Sequence, residues 1–231
     1  MLIHGILAKS DSTTKLRRYG SLIMSPGKFI TLEGIDGAGK STQLAWIVDF
    51  LQGNGVNVVV TREPGGTPLG EELRTLLLDS SLTMHPETEV LLMFAARREH
   101  LDKVIFPALA RGDWVISDRF TDASFAYQGG GRQVGITKLE NLEQWAQGVL
   151  QPDLTLYFDV PVELGQQRIA GIKSADRFEK EQTEFFQRVR AAYLARVEKY
   201  PERMRLIDAS QSLQKVQEAI RHIMEKVFPL K

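Results

Sequence analysis

The chain has 231 residues, zero net charge and no cysteine, with 43% hydrophobic and 25% charged residues. That length fits one α/β unit with a sizeable core better than two small ones. No apolar run approaches the ~20 residues of a membrane span, and a chain without thiols has neither a disulfide framework nor a thiolate metal site. A soluble, cytoplasmic protein with no membrane partner is expected, since cysteine-free chains suit a reducing compartment.

Residues 1–28 carry five basic residues against one acidic, a net +4, which leaves −4 on the remainder. The stretch has no sustained periodicity, and its apolar run is too short for a signal sequence. Residues 1–27 are read as a disordered accessory extension or an upstream start, with Met24 as a second start, and 28–231 as a single domain. Without interleaved aromatics the basic segment does not read as a nucleic-acid arm, so no nucleic-acid partner is expected. The histidines His4, His85, His100 and His222 lack ligand spacing and are expected at the surface or in caps.

From Phe29 onward, short apolar runs alternate with helical patterns. Enrichment in β-branched and aromatic residues predicts strands over 29–33, 56–62, 114–118, 154–159 and 204–208. Helices are predicted over 40–52, 69–79, 87–111, 137–148, 161–171, 179–199 and 212–227, with Pro86 and Pro161 in first turns and a kink or break at Pro107. Strands separated by helices require crossover connections, so a parallel sheet covered on both faces follows.

Between the first strand and helix, "EGIDGAGKST" satisfies G-x-x-x-x-G-K-[ST] through Gly34, Gly39, Lys40 and Ser41, in the strand-to-helix context the motif needs. The loop Gly34, Ile35, Asp36, Gly37, Ala38, Gly39, Lys40, Ser41 and Thr42 is therefore the expected nucleotide cradle. Its backbone N–H groups and the helix dipole would hold phosphates, Lys40 would reach the β/γ-phosphates, and Ser41 would ligate Mg²⁺. The guanine-selecting N-K-x-D pattern is absent, which favours ATP. Asp36 is an acid in the middle of an anion site, and a loop-internal turn bond is one reading of it.

"TREPGGTPLGEELR" follows the second strand with Arg62, Glu63 and Arg74, and "SDRF" ends the third with Asp118 and Arg119. In an open parallel sheet the ligand lies beyond the carboxyl ends of the strands, so these groups should share one crevice with the loop. Three arginines exceed what the triphosphate itself requires, which points to a second, phosphorylated substrate. Glu63 and Asp118 are candidates either to orient Mg²⁺ or to align the arginines.

Together, "EGIDGAGKST", "TREPGGT", "LLMFAARREHL", "DRFTDASFAYQGGGR" and "PDLTLYFDV" resemble the bacterial thymidylate kinases (dTMP kinases) of the nucleoside monophosphate kinase superfamily, from Phe29 to about Phe228. The resemblance implies a P-loop α/β three-layer fold with a five-stranded parallel sheet, a short lid at about 166–181, a homodimer, and conversion of ATP and dTMP to ADP and dTDP with Mg²⁺. By the same pattern, Arg62, Arg74 and Arg119 meet the dTMP phosphate, Asp36 its 3′-hydroxyl, and Arg97, Ser124 and Gln128 the base. Tyr127 falls beside the sugar, where a ring would exclude a ribose hydroxyl.

Three positions depart from the family pattern. Met93 stands where an aromatic usually stacks on the base, so either Met93 or its neighbour Phe94 covers it, with Phe94 expected. Gly37 replaces the loop arginine of one branch, which moves the donor-side cation to the lid. There Lys173 stands in place of the usual arginine, and Arg177 could share the role. Arg168 matches the residue packed on adenine, with "DAS" at 208–210 opposite. Lys40, Glu63, Asp118, Arg119 and Lys173 thus form the expected catalytic set. Two other readings remain: a deoxynucleoside kinase, disfavoured because arginines rather than a base face the acceptor, and a noncatalytic nucleotide-dependent regulator, disfavoured by the intact loop.

Overall fold

The computed structural model describes residues 27–170 and 176–229; residues 1–26 of the predicted N-terminal extension, and Lys173, lie outside the described residues. Five parallel strands, β1 (Phe29–Glu33), β2 (Val58–Arg62), β3 (Trp114–Asp118), β4 (Leu154–Asp159) and β5 (Met204–Asp208), form one sheet in the order β2-β3-β1-β4-β5. The chain leaves β1 toward one edge and later returns to its other side, so the topological switch lies at β1. Register places Leu32 and Arg62 beside Asp118, and Glu33 beside Tyr157, which aligns the carboxyl ends that carry the candidate chemistry. β2 starts at Val58 rather than at residue 56 because the Val56 N–H closes the preceding turn on Leu51 O at 3.1 Å.

The two faces of β1 differ in kind. Ile30 and Leu32 enter an apolar cluster with Ile47 and Leu51 of α1 (Lys40–Gly53) and Ile220 and Met224 of α9 (Leu213–Val227). Each such fully buried side chain contributes about 1.5–3 kcal/mol. The alternate residues Phe29, Thr31 and Glu33 face the other way. Phe29 packs with Leu101, Ile105 and Phe120. Thr31 and Glu33 are buried polar groups with partners: Thr31 Oγ1 bonds Thr155 Oγ1 at 2.8 Å, and Tyr193 Oη bonds Glu33 Oε2 at 2.7 Å. This polar face lies under α8 (Thr183–Lys199), which supplies Tyr193, and leads to the site.

The remaining helices are α2 (Pro68–Leu78), α3 (Pro86–His100), α4 (Phe106–Ala110), α5 (Thr121–Ser124), α6 (Ile136–Gln147) and α7 (Val162–Ile169). Pro86 opens α3 at its first turn, with His85 Nδ1 accepting from the Glu87 N–H, whereas Pro161 stays outside α7 as its N-cap. Residues 179–182, expected in α8, lie before it in a turn and bend, and the helix begins at Thr183. The predicted helix 87–111 is three pieces: α3, a π-helical turn at Leu101–Ile105, and α4 with Pro107 near its start. Proline lacks an N–H and clashes with the carbonyl four residues back, and the widened turn just before Pro107 absorbs both defects.

One region was not predicted as helical at all. α5 runs into a second π-helical segment, Phe125–Gly131, against which α8 packs. A Cβ at Gly130 would lie 2.6 Å from Ala192 Cβ, and one at Gly131 would lie 2.4 Å from the Phe185 ring. The "GGG" run that reads as a loop is therefore the small face of a helix contact. Among the described residues no helix is long and apolar enough to cross a membrane.

Candidate active site

The phosphate loop leaves β1 and caps α1. Gly39 adopts φ +83° and a Cβ there would meet open space, so the N-terminus of α1, with its unpaired first N–H groups, is open to approach. Lys40 is buried, donating to Gly34 O at 2.9 Å and Ile35 O at 3.1 Å, with Asp36 Oδ1 at 3.9 Å. Burial, then the nearby Arg119, pulls its ammonium below the ordinary lysine range. Ile35 and Ala38 turn their side chains into the core and can offer only backbone, while Ser41 and Thr42 are exposed. Gly37 explains one departure from the family pattern: its Cβ would lie 2.1 Å from Gly165 O, so the close approach of α7 excludes an arginine. Arg168 of α7 donates to Gly37 O at 3.2 Å and Ala209 O at 3.0 Å, bridging the loop to the segment after β5.

A cavity opens beyond the ends of β1, β2 and β3, with Asp36, Arg74, Arg97, Arg119, Ser124, Tyr127 and Gln128 among its lining. Arg97, only 2% exposed, donates Nε to Glu63 Oε2 at 2.8 Å and Nη2 to Ser124 Oγ at 2.9 Å, while its buried Nη1 has no protein partner. Glu63 in turn holds His100 Nδ1 at 2.9 Å, and His100 Nε2 lies 2.6 Å from Thr61 Oγ1. A carboxylate only accepts, so Nδ1 carries a proton toward Glu63. His100 thus belongs to the buried scaffold, correcting the expectation of a surface or capping residue. Both Glu63 oxygens are thus engaged, Oε2 by Arg97 and Oε1 by His100.

Met93 lines the cavity, whereas Phe94 is buried in a separate cluster with Val90, Phe125 and Leu139. Phe94, expected to cover the base, thus lies outside the cavity lining, and Met93 lies within it. Met93 and Arg97, four residues apart on α3, both reach the cavity, while the Phe94 ring packs against the Arg97 guanidinium with 4.5 Å from Cζ to the ring centroid.

Asp118 and Arg119 leave β3 together. Arg119 takes the left-handed region at φ +70°, its N–H on Leu32 O at 2.9 Å and its carbonyl accepting from Ser117 Oγ at 2.7 Å. Its Nη2 donates to Asp36 Oδ1 at 2.7 Å and Tyr127 Oη at 3.3 Å. Although burial opposes its charge, the adjacent Asp36 and Tyr127 leave that guanidinium well above its ordinary range. The Phe120 N–H donates to Glu33 Oε1 at 2.8 Å, so the segment is pinned on both sides. Burial, then the Asp122 carboxylate, pushes the Glu33 carboxyl up to about 8. Asp118 Oδ1 is buried without a protein partner.

Arg74 donates to Pro64 O at 2.9 Å. Burial, then the charges of Arg62 and Arg119, lowers it from the usual arginine range, which places the three cations in each other's fields. Arg62 itself sits at the rim, 55% exposed and paired with Glu71 at 2.9 Å. Arg177, suggested as a second lid cation, is engaged elsewhere: its Nε donates to Leu77 O at 2.8 Å and its Nη1 to Glu89 Oε2 at 2.6 Å.

The thymidylate kinase family model matches residues 32–220. The chain belongs to the thymidylate kinase family. A thymidylate kinase from Nitrosospira multiformis is 66% identical over 202 residues, covering 87% of this chain and 98% of the relative. One from Nitrosomonas europaea is also 66% identical, covering 87% of this chain and 94% of the relative. The crystal structure of thymidylate kinase from Ehrlichia chaffeensis aligns with a TM-score of 0.71 at 33% identity, over 87% of this chain and 99% of that one. Within this thymidylate kinase framework the motifs located the groups that line the cavity but missed the carboxylates and hydroxyls behind them: Glu33, Thr61, Glu89 and Tyr193. The one available signal was spacing, since Glu89 and His100 stand at −8 and +3 from Arg97.

Proposed function

We propose that this chain transfers the γ-phosphoryl group of ATP to dTMP, giving ADP and dTDP for DNA precursor synthesis. The observation that carries this reading is one cavity shared by Arg74, Arg97 and Arg119 with Asp36 of the nucleotide loop. Arginines for a phosphorylated acceptor and a loop for a triphosphate meet there, whereas a hydroxyl acceptor would call for a base.

Phosphoryl transfer has a loose transition state, so catalysis rests on positioning and charge. In this reading Lys40 exchanges its loop carbonyls for donor phosphate oxygens, and Arg119 and Arg74 hold the acceptor phosphate, with Arg62 moving in from the rim. Asp36 accepts from the sugar 3′-hydroxyl while orienting Arg119. The Arg97 Nη1 donates to a base carbonyl, Ser124 and Gln128 line the base edge, Met93 covers it, and Tyr127 crowds C2′ against a ribose. Arg168 lies along the adenine, and Lys173 supplies the lid cation. Ser41 and Asp118 would hold Mg²⁺, a fit supported by the partnerless buried Asp118 Oδ1. When bound, the metal would supply charge neutralisation at the donor phosphates, and one or two protein ligands suffice for it. Residues 28–231 act as one kinase unit, homodimeric and cytoplasmic.

The test is ADP release with dTMP, dUMP, thymidine, CMP and AMP as acceptors. Turnover with dTMP but not thymidine is expected; turnover with thymidine alone would overturn the reading, and silence with all five would leave a noncatalytic regulator.

A further inference from the structure

Glu89 is fully buried on α3, yet neither the nucleotide loop nor the phosphate arginines touch it. Its Oε1 accepts from Gln128 Nε2 at 2.8 Å. Its Oε2 accepts from Arg177 Nη1 at 2.6 Å and Arg132 Nε at 3.2 Å. The two guanidiniums keep the carboxylate in place: Arg177 is tied to Leu77 O by its own Nε at 2.8 Å and to Leu78 O by its N–H at 3.2 Å, and Arg132 also pairs with Glu181.

A carboxylate accepts and cannot donate, so Gln128 must direct its NH₂ toward Glu89. Its carbonyl oxygen is then the end left for the cavity, which Gln128 lines together with Arg97. The base edge therefore meets a donor, Arg97 Nη1, next to an acceptor, Gln128 Oε1. A thymine edge offers the complement: a C4 carbonyl acceptor beside an N3–H donor. A cytosine edge offers an amine donor and a bare N3 acceptor, and would meet two mismatches.

We propose that Glu89 is a positioning residue that sets base specificity by locking the Gln128 amide in the orientation that accepts from the base. The inference rests on the dTMP reading, because it takes Arg97 and Gln128 as the groups facing the base.

Glu89→Gln tests it, since glutamine at 89 can donate as well as accept and frees the Gln128 amide to turn over. The kcat/KM values for dTMP and dCMP are measured by ADP release in the wild-type chain and the variant. The dTMP-to-dCMP ratio should fall by about tenfold or more, mainly through KM, because a reversed hydrogen-bond pair at a buried edge discriminates by at least that factor. Equal losses for both acceptors, with the ratio unchanged, would mean that Glu89 only supports the fold and would overturn the proposal. If the variant does not fold, ¹⁵N NMR of the wild-type Gln128 side chain decides. Protection of its amide protons from solvent exchange is expected, and exchange as fast as in an exposed glutamine would refute the lock. A wild-type chain inactive on dTMP removes the underlying reading; a wild-type preference for dTMP that survives Glu89→Gln removes this inference alone.

Discussion

In the acceptor cleft, the deepest guanidiniums are gripped by side chains: Arg97 by Glu63 and Ser124, Arg119 by Asp36 and Tyr127. At the phosphate loop the cations rest on main-chain carbonyls instead: Lys40 on Gly34 and Ile35, Arg168 on Gly37 and Ala209. The two kinds of grip suit two tasks. A carboxylate fixes the plane and direction of a guanidinium, which reading a flat base requires. A neutral carbonyl holds an ammonium weakly enough to be exchanged for phosphate oxygens, which a lysine serving a departing phosphoryl group requires. A third layer, Glu33 with Tyr193 and the Phe120 N–H, joins the regions at the end of β1.

The comparison is broken most severely at Lys40. Lys40→Ala should lower kcat by roughly 10³ while leaving the KM for dTMP within a few-fold, because charge stabilisation in the transition state is lost and the acceptor cleft is untouched. Steady-state kinetics would show it, and equal losses in both parameters would mean that the two regions are not separable. Next, Glu63→Gln should destabilise the fold by about 3 kcal/mol in urea titration, since it leaves the buried Arg97 charge uncompensated and loosens His100. An unchanged midpoint would show that the carboxylate grip is dispensable.

Smaller effects sharpen the boundary between the regions. Asp36→Ala should weaken dTMP binding about tenfold, the worth of one charged hydrogen bond, and spare ATP; calorimetric titration that finds the reverse would assign Asp36 to the donor side. For Glu33 the sign follows from its raised carboxyl. Between about 4.5 and 8 the folded state keeps a proton that the unfolded chain releases, so its contribution is full below that window and is lost as pH rises through it. The slope is at most about 1.4 kcal/mol per pH unit. Glu33→Gln should flatten it, gaining stability over the wild type at pH 8 relative to pH 5, and parallel curves would exclude the joint as the titrating group.

Much of this arrangement could be read along the chain. The five strands, the loop at 34–42 and the pairing of Asp118 with Arg119 at a strand end each depend on neighbours a few residues apart, and runs of β-branched residues or fixed glycine spacings record such neighbours directly. The segment 121–131 escaped because its helical form depends on α8, some 60 residues later, packing where Gly130 and Gly131 leave room. The choice between Met93 and Phe94 escaped for a related reason: adjacent apolar residues look alike in a sequence, and only the orientation of α3 against the cleft separates them.

Local chemistry along the chain was enough to mark the candidate phosphate-binding groups, because backbone N–H groups, a lysine and a helix start act over a handful of residues. Which way those groups point was settled in three dimensions. Glu63 reaches Arg97 across 34 residues, Arg119 reaches Asp36 across 83, and Tyr193 reaches Glu33 across 160. Burial makes each of these polar partnerships obligatory, and no short-range pattern encodes a partner that only folding brings within 3 Å.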